Sequence, residues 1–144
     1  MVYTADIENL SALTEMAAKL WPQSDMASLR EEMKEYLTDE ERAVFLSLKE
    51  GRAVGFALCS LRREYTEGAQ NYPVGYLEGI YIEEEFRGKR RGSELLKSCE
   101  QWAKQCGCLQ FASDCELENT LSLAFHLKNG FEEANRIICF IKKL

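Results

Sequence analysis

Histidine occurs only once in this 144-residue chain, at His126, and no apolar run approaches the length of a membrane span. A single histidine argues against the imidazole-rich ligand sets of transition-metal centres, and Cys106-Gly-Cys108 is too closely spaced for the usual zinc knuckle. No metal site is therefore expected. The leading stretch MVYTADIENL lacks the character of a signal peptide. Without an export signal, the six cysteines at 59, 99, 106, 108, 115 and 139 read as reduced, mostly buried thiols rather than a disulfide framework. No linker, repeat or low-complexity stretch divides the sequence. Residues 1–144 are expected to form one cytoplasmic domain with no membrane partner, long enough to bury a continuous core.

What is present is ordinary in amount and uneven in placement. Hydrophobic residues make up 46% and charged residues 29%, as in a soluble globular protein. Eighteen basic against 24 acidic residues give a net charge of −6, yet residues 87–91 hold four basic residues and no acid; the remainder carries 14 against 24, a net of −10. An acidic protein with one basic turn disfavours nucleic acid as a partner and suits a cationic small molecule in an acid-lined cleft. The acids could equally serve solubility alone.

Periodicity gives the order of elements. A short strand at residues 3–7 precedes a helix with Leu10, Leu13, Met16, Ala17 and Leu20 on one face, stopped at Trp21-Pro22 because the residue before proline avoids the helical region. Ser24 or Asp25 can cap a second helix to about residue 37, with Met26, Leu29, Met33, Tyr36 and Leu37 as its stripe. Residues 43–49 and 53–62 read as a hairpin across Glu50-Gly51-Arg52, and residues 74–82 as a further strand. A helix over residues 90–106 turns Leu95, Leu96, Cys99, Trp102, Ala103 and Cys106 inward. A strand at 109–113 and a helix at 119–128 with Leu121, Ala124, Phe125 and Leu127 follow, ended by Asn129-Gly130. Strands at 131–134 and 137–141 would complete a terminal hairpin. The sum is an α/β (α+β) fold: a mixed, mostly antiparallel sheet of about seven strands with about four helices.

The run from Tyr76 to Leu96 passes from an apolar strand, through a basic glycine-bearing turn, into an amphipathic helix. Arg87, Lys89, Arg90 and Arg91 place four cations at a helix N-terminus, where the macrodipole is already positive and basic side chains are disfavoured. A bound phosphate would account for that arrangement; a solvated basic turn is the plainer alternative.

This segment resembles the acyl-CoA loop of the GCN5-related N-acetyltransferases, Arg/Gln-x-x-Gly-x-Gly/Ala between strand and helix. Here it reads Arg87-Gly-Lys-Arg-Arg-Gly92, with Arg90 at the family's first glycine. The order of elements is similar to that superfamily along nearly the whole chain. The stretch from His126 through Lys128-Asn-Gly-Phe131 looks like its second motif, Tyr-x-Lys-x-Gly-Phe, with His126 in the tyrosine position. Finer fragments resemble the aminoglycoside 6′-N-acetyltransferases: Leu20-Trp-Pro22, Arg62-Arg-Glu-Tyr65 with Gly68, Pro73-Val74, Leu77-Glu-Gly-Ile-Tyr81, Ala112-Ser-Asp114, Glu118-Asn119 and Gly130-Phe-Glu-Glu133.

That resemblance implies acetyl transfer from acetyl-CoA, as co-substrate, to the 6′-amine of drugs such as kanamycin or tobramycin, with antibiotic resistance as the result. It implies Trp21, Tyr65, Glu78 and Asp114 as ligands of the polycationic sugar, since ammonium groups need carboxylates and sugar rings need aromatic faces. Asn135 stands where some relatives carry an acidic ligand. Ile80, Tyr81 and Ile82 would pair with pantetheine like an added strand, with Gly79 permitting a bulge. The amides of Gly88, Lys89, Arg90, Arg91, Gly92 and Ser93, with Arg87, would hold pyrophosphate, and Asn119 would contact acetyl-CoA. Glu78 is the first candidate for the base and Asp114 the second, with His126 a candidate proton donor to the departing thiolate. Each has a structural alternative: Trp21 as a plug, Tyr65 as a loop anchor, Asp114 and Asn119 as helix caps, His126 as packing. Related enzymes are often homodimers through C-terminal strands, a role residues 137–141 could fill. An acetyltransferase for polyamine or protein amines, or a non-catalytic CoA-binding sensor, are the rival readings.

Overall fold

A computed structural model describes all residues from 1 to 144. Its elements run β1 (Val2–Thr4), α1 (Leu10–Leu20), α2 (Met26–Thr38), β2 (Arg42–Lys49), β3 (Arg52–Arg62), β4 (Val74–Ile82), α3 (Arg91–Gln105), β5 (Phe111–Ala112) and α4 (Thr120–Lys128). The sheet order is β1-β2-β3-β4-β5, antiparallel throughout except for the parallel pairing of β4 with β5.

Alternation along the central strands sends their side chains into two cores. On one face Val44, Leu46, Phe56 and Leu58 pack against Leu10, Leu13, Met16 and Ala17 of α1 and Leu29, Met33 and Tyr36 of α2. On the other, Ala43, Phe45, Ala57, Cys59 and Leu77 meet Leu95, Leu96 and Cys99 of α3. Each buried large apolar side chain contributes roughly 1.5–3 kcal/mol, so this sandwich of the sheet between helical layers holds the strands that carry the site. Asp25 starts α2, its carboxylate accepting from the Ser28 amide at 3.0 Å, as the capping pattern predicts.

The sheet has five strands rather than about seven. Residues 131–144 form no strand, and Ile138, Phe140 and Ile141 are 80, 90 and 100% exposed. Apolar alternation reports only that a half-buried pleated surface would suit these residues; in this fold they pair with no strand. The expected stripe on α4 is also only partly realised. None of its residues is fully buried and Leu121 is 84% exposed, whereas Phe125 packs against the α3 layer. All six cysteines are free thiols: Cys59, Cys99 and Cys108 are buried, Cys106 half-buried, Cys115 and Cys139 exposed. No helix is long and apolar enough to cross a membrane.

Two irregularities in β4 prepare a cleft. Its register against β3 shifts between Leu58, opposite Gly79, and Cys59, opposite Leu77, so Glu78 is the extra residue of a β-bulge. Its pairing with β5 ends at Tyr76–Ala112, which leaves the β4 edge from Leu77 onward without a strand partner on that side.

Candidate active site

The bulge brings consecutive residues to the same face. Glu78 reaches Ser60 and Arg62, which continue the β3 face of Phe56 and Leu58, while Gly79 lies against Trp21 at the end of α1. Glu78 Oε2 accepts from the Ser60 hydroxyl at 2.6 Å and from Arg62 Nε at 3.1 Å, and Oε1 accepts from Arg62 Nη2 at 2.6 Å. This is a side-on, two-pronged pairing, the strongest geometry a guanidinium offers a carboxylate. Burial opposes the Arg62 charge, but its hydrogen bonds with Glu78 and that carboxylate's charge win, leaving Arg62 above the usual arginine value.

Tyr76 completes the cluster. The Arg62 guanidinium lies 3.4 Å from the centre of the Tyr76 ring, and the Tyr76 hydroxyl donates to Asp114 just beyond β5. Burial, then that hydrogen bond, push the phenol well above the ordinary tyrosine value, so it is a fixed donor at neutral pH. Asp114 is thus not a helix cap; Asn119 caps α4, accepting from the Ser122 amide at 3.1 Å.

Trp21 is half-buried, 6.3 Å from Phe56 between ring centroids, and its indole edge lies over Gly79. The plug and the site wall are therefore one residue. Tyr65 is 82% exposed on the loop after β3 and donates to Glu67, which also accepts from Asn135. The Asn135 bond, followed by the Tyr65 bond, holds the Glu67 carboxyl below its ordinary value. Tyr65 and Asn135 are thereby joined through Glu67 rather than directly, and no hydrogen bond links this group to the Glu78 cluster.

At the other end of β4 the basic turn has a distinctive backbone. Gly88 and Arg90 both adopt left-handed conformations, φ 77° and 64°, and Arg90 is the N-cap of α3 with no side-chain cap bond. Helix geometry leaves the first amides of α3 without intrahelical acceptors. Left-handed residues in such a turn direct successive N–H groups to one side, which suits an anion. Lys89 and Arg90 are exposed. Arg91 is different: its Nη1 donates to Ser47 Oγ at 2.9 Å and the Leu48 carbonyl at 3.3 Å, so its side chain ties α3 to β2 and only its backbone faces the turn's task. Arg87 Nε donates to the Ile82 carbonyl at 2.8 Å and its guanidinium lies 5.6 Å from the Tyr81 ring centre.

Both ring nitrogens of His126 are engaged. Nδ1 donates to the Ser122 carbonyl at 2.7 Å, and Nε2 shares a hydrogen bond of 2.7 Å with Ser113 Oγ. The imidazole spans α4 and the segment after β5, with Phe131 5.0 Å away. A proton passed outward from this residue would have to travel through Ser113.

The family resemblance nominates Glu78, Asp114 and Trp21 but not Arg62, Ser60, Tyr76 or Glu67 as site residues. Arg62 and Glu67 look like solvent-facing charges in an acidic surface. Only the hairpin register, with its bulge, aligns Ser60 and Arg62 with Glu78.

Known proteins resemble this chain along nearly its whole length. Residues 10–131 match the Acetyltransferase (GNAT) family. An aminoglycoside N(6′)-acetyltransferase type 1 of Stenotrophomonas maltophilia is 37% identical over 131 residues, covering 90% of this chain and 84% of the relative. The enzyme of that name from Serratia marcescens is 34% identical and covers 100% and 99%. Among solved structures, AAC(6′)-Iy in complex with the bisubstrate analogue CoA-S-monomethyl-acetylneamine superimposes with a TM-score of 0.96 at 30% identity, covering 100% of this chain and 98% of the other. The apo 6′-N-acetyltransferase AAC(6′)-IG of Acinetobacter haemolyticus gives 0.93 at 34%, covering 100% and 99%. This chain is a member of the GNAT acetyltransferase family and, within it, of the aminoglycoside 6′-N-acetyltransferases.

Proposed function

We propose that this chain transfers the acetyl group of acetyl-CoA to the 6′-amine of aminoglycoside antibiotics and so confers resistance. The observation that carries the reading is the placement of Glu78. It sits in a bulge on β4, ahead of a strand edge left open by β5 and of an uncapped, basic helix N-terminus on the same strand's continuation.

The residues present fit acetyl-CoA. The amides of residues 88–93, with Lys89 and Arg90, would hold the pyrophosphate, and the open edge at Ile80, Tyr81 and Ile82 would receive the pantetheine amides as an added strand. Asn119 would contact the co-substrate from the start of α4. Bound there, acetyl-CoA supplies an activated acyl group. The aminoglycoside, a sugar-like polycation, would lie between Trp21, Glu78 and Asp114, with Tyr65, Glu67 and Asn135 reaching it from the loop side. Its 6′-ammonium gives up a proton to Glu78, directly or through one water. The amine lone pair then forms the C–N bond as the C–S bond breaks, and the electron pair leaves on sulfur, which is reprotonated. Backbone N–H groups of residues 79–81 polarise the acyl oxygen. Asp114 is the second candidate base, and His126 with Ser113 offers a route for the returning proton.

Large exposed apolar side chains at Leu121, Leu127, Ile137, Ile138, Phe140 and Ile141 favour a homodimer in which a second copy covers the C-terminal segment. The chain would work as one domain in the cytoplasm, where acetyl-CoA is supplied and free thiols persist.

The reaction is tested by following CoA thiol release with acetyl-CoA and either kanamycin A or an analogue with hydroxyl in place of the 6′-amine. Release with the amine alone supports the reading. Equal release with both moves the acceptor position, and release with spermidine or a lysine peptide in place of either points to another amine class.

A further inference from the structure

The Glu78 carboxylate does not face the acceptor space as a lone anion. Arg62 grips it from the side through Nε and Nη2, at 3.1 and 2.6 Å, Ser60 occupies a further lone pair at 2.6 Å, and the guanidinium is itself pinned at 3.4 Å over the Tyr76 ring. The other titratable or charged groups around this pair are few. Tyr36 approaches from α2, with Arg42 of β2 4.9 Å over its ring and Glu32 nearby; Cys59 lies on the opposite face of β3; Asp114 stands beyond β5, bonded to Tyr76. Arg62 is the cation that touches Glu78.

An acyl-transfer site for an ammonium faces a conflict. A carboxylate that attracts the ammonium also stabilises its protonated form, because an opposite charge within about 4–6 Å favours ionisation. Acylation needs the neutral amine. A carboxylate already forked by a guanidinium keeps its hydrogen-bonding oxygens in place while presenting little net charge. We propose that Arg62 is a positioning residue for acetyl transfer: it fixes the Glu78 carboxylate and offsets its charge, so that the bound acceptor amine sheds its proton at a lower pH than it would beside a lone carboxylate. The inference rests on the reading that the acceptor amine approaches Glu78. The proton passes to Glu78, directly or through one water, and the freed lone pair attacks the thioester carbonyl carbon, the C–S electron pair leaving on sulfur.

The pH profile of kcat with saturating acetyl-CoA and kanamycin separates this role from a merely structural one, since kcat reports ionisations in the ternary complex. Wild type, Arg62→Gln and Arg62→Lys are compared, with Arg62→Met as a second neutral variant should Gln not fold; the Arg62 side chain is 39% exposed, so neither opens a core cavity. In the neutral variants the acid limb is expected to move about one pH unit to the alkaline side, lowering kcat near neutrality by roughly tenfold. The KM for kanamycin holds or falls, because the ammonium now meets a fuller charge. Arg62→Lys restores the limb's position but not the full rate, having charge without the fork. An unmoved limb in the neutral variants, whatever their KM, overturns the assignment alone. No thiol release by wild type with kanamycin overturns the function itself, and this inference with it.

Discussion

The indole of Trp21 lies directly over Gly79: a Cβ built at position 79 would stand 2.6 Å from Trp21 Cη2 and 2.9 Å from Cζ2. Glycine at this point of the bulge is thus a matter of space, not of backbone freedom, because the ring edge that would form the acceptor wall rests on the bare backbone of β4. Gly79→Ala is expected to cost about 1–3 kcal/mol, as overpacked sites do, and to raise the KM for aminoglycoside by displacing the ring. Thermal unfolding and acceptor kinetics of Gly79→Ala, Trp21→Phe and the double variant check this. The smaller ring should recover the stability lost to the added methyl, and strictly additive effects would show that the two residues do not meet.

Glu78→Gln keeps the shape of the side chain and its reach to Ser60 while removing the negative charge. Turnover is expected to fall by roughly 100- to 10,000-fold, the range for a lost general base, with acetyl-CoA affinity unchanged by calorimetry. Unchanged turnover would remove Glu78 from the role and move attention to Asp114.

Legibility in the sequence differs from strand to strand. β4 is readable to its ends at Val74 and Ile82, since an apolar run bounded by Pro73 and a basic turn has one simple interpretation. The α1 and α2 stripes are readable because 3.6-residue periodicity reports a buried face directly. Arg62 is not, because its meaning lies 16 residues away across a hairpin whose register is interrupted by a bulge. Arg91 reads as a phosphate ligand on charge alone, whereas its side chain is spent on Ser47 and Leu48. The C-terminal strands fail for a different reason: residues 137–141 have strand composition, but a strand needs an edge, and composition carries no information on whether the edge belongs to the same chain.

The two arginines that start α3 should separate cleanly. Arg90 holds φ at 64°, a conformation that glycine adopts without strain, so Arg90→Gly is expected to stabilise the fold by roughly 1 kcal/mol. It should also weaken acetyl-CoA binding modestly and in a salt-dependent manner, through the lost charge. Arg91→Ala should do the reverse, lowering the thermal midpoint through the broken tie to β2 with a smaller effect on acetyl-CoA. Denaturation midpoints and KM for acetyl-CoA at two ionic strengths decide it; a large, salt-sensitive loss of acetyl-CoA binding in Arg91→Ala would contradict the assignment.

The exposed C-terminal side chains lead to a mass measurement. Sedimentation at micromolar concentration is expected to give a species of twice the 16.5 kDa chain. Phe140→Asp places a charge on a side chain that is 90% exposed within one chain, so it should leave the isolated fold intact and shift the equilibrium toward the monomer. A wild-type protein that sediments as a monomer would refute the homodimer.

Tyr76 ties the acceptor site to alkaline stability. Its phenol is held above the ordinary tyrosine value by burial and by the bond to Asp114, so the folded state binds the proton more tightly than the unfolded chain. The corresponding stability is fully present below the unfolded value near ~10 and is lost as pH rises above it toward the folded value. Tyr36, raised mainly by its own burial, adds a slope of the same sign. Urea unfolding at pH 8, 9.5 and 11 should therefore show wild type losing stability over the upper interval. Tyr76→Phe, which cannot ionise there, should start less stable at pH 8 and lose less on the way up. Parallel curves for the two proteins would mean that the phenol titrates in the fold as it does in the open chain, and that the bond to Asp114 contributes nothing to holding the ring beneath Arg62.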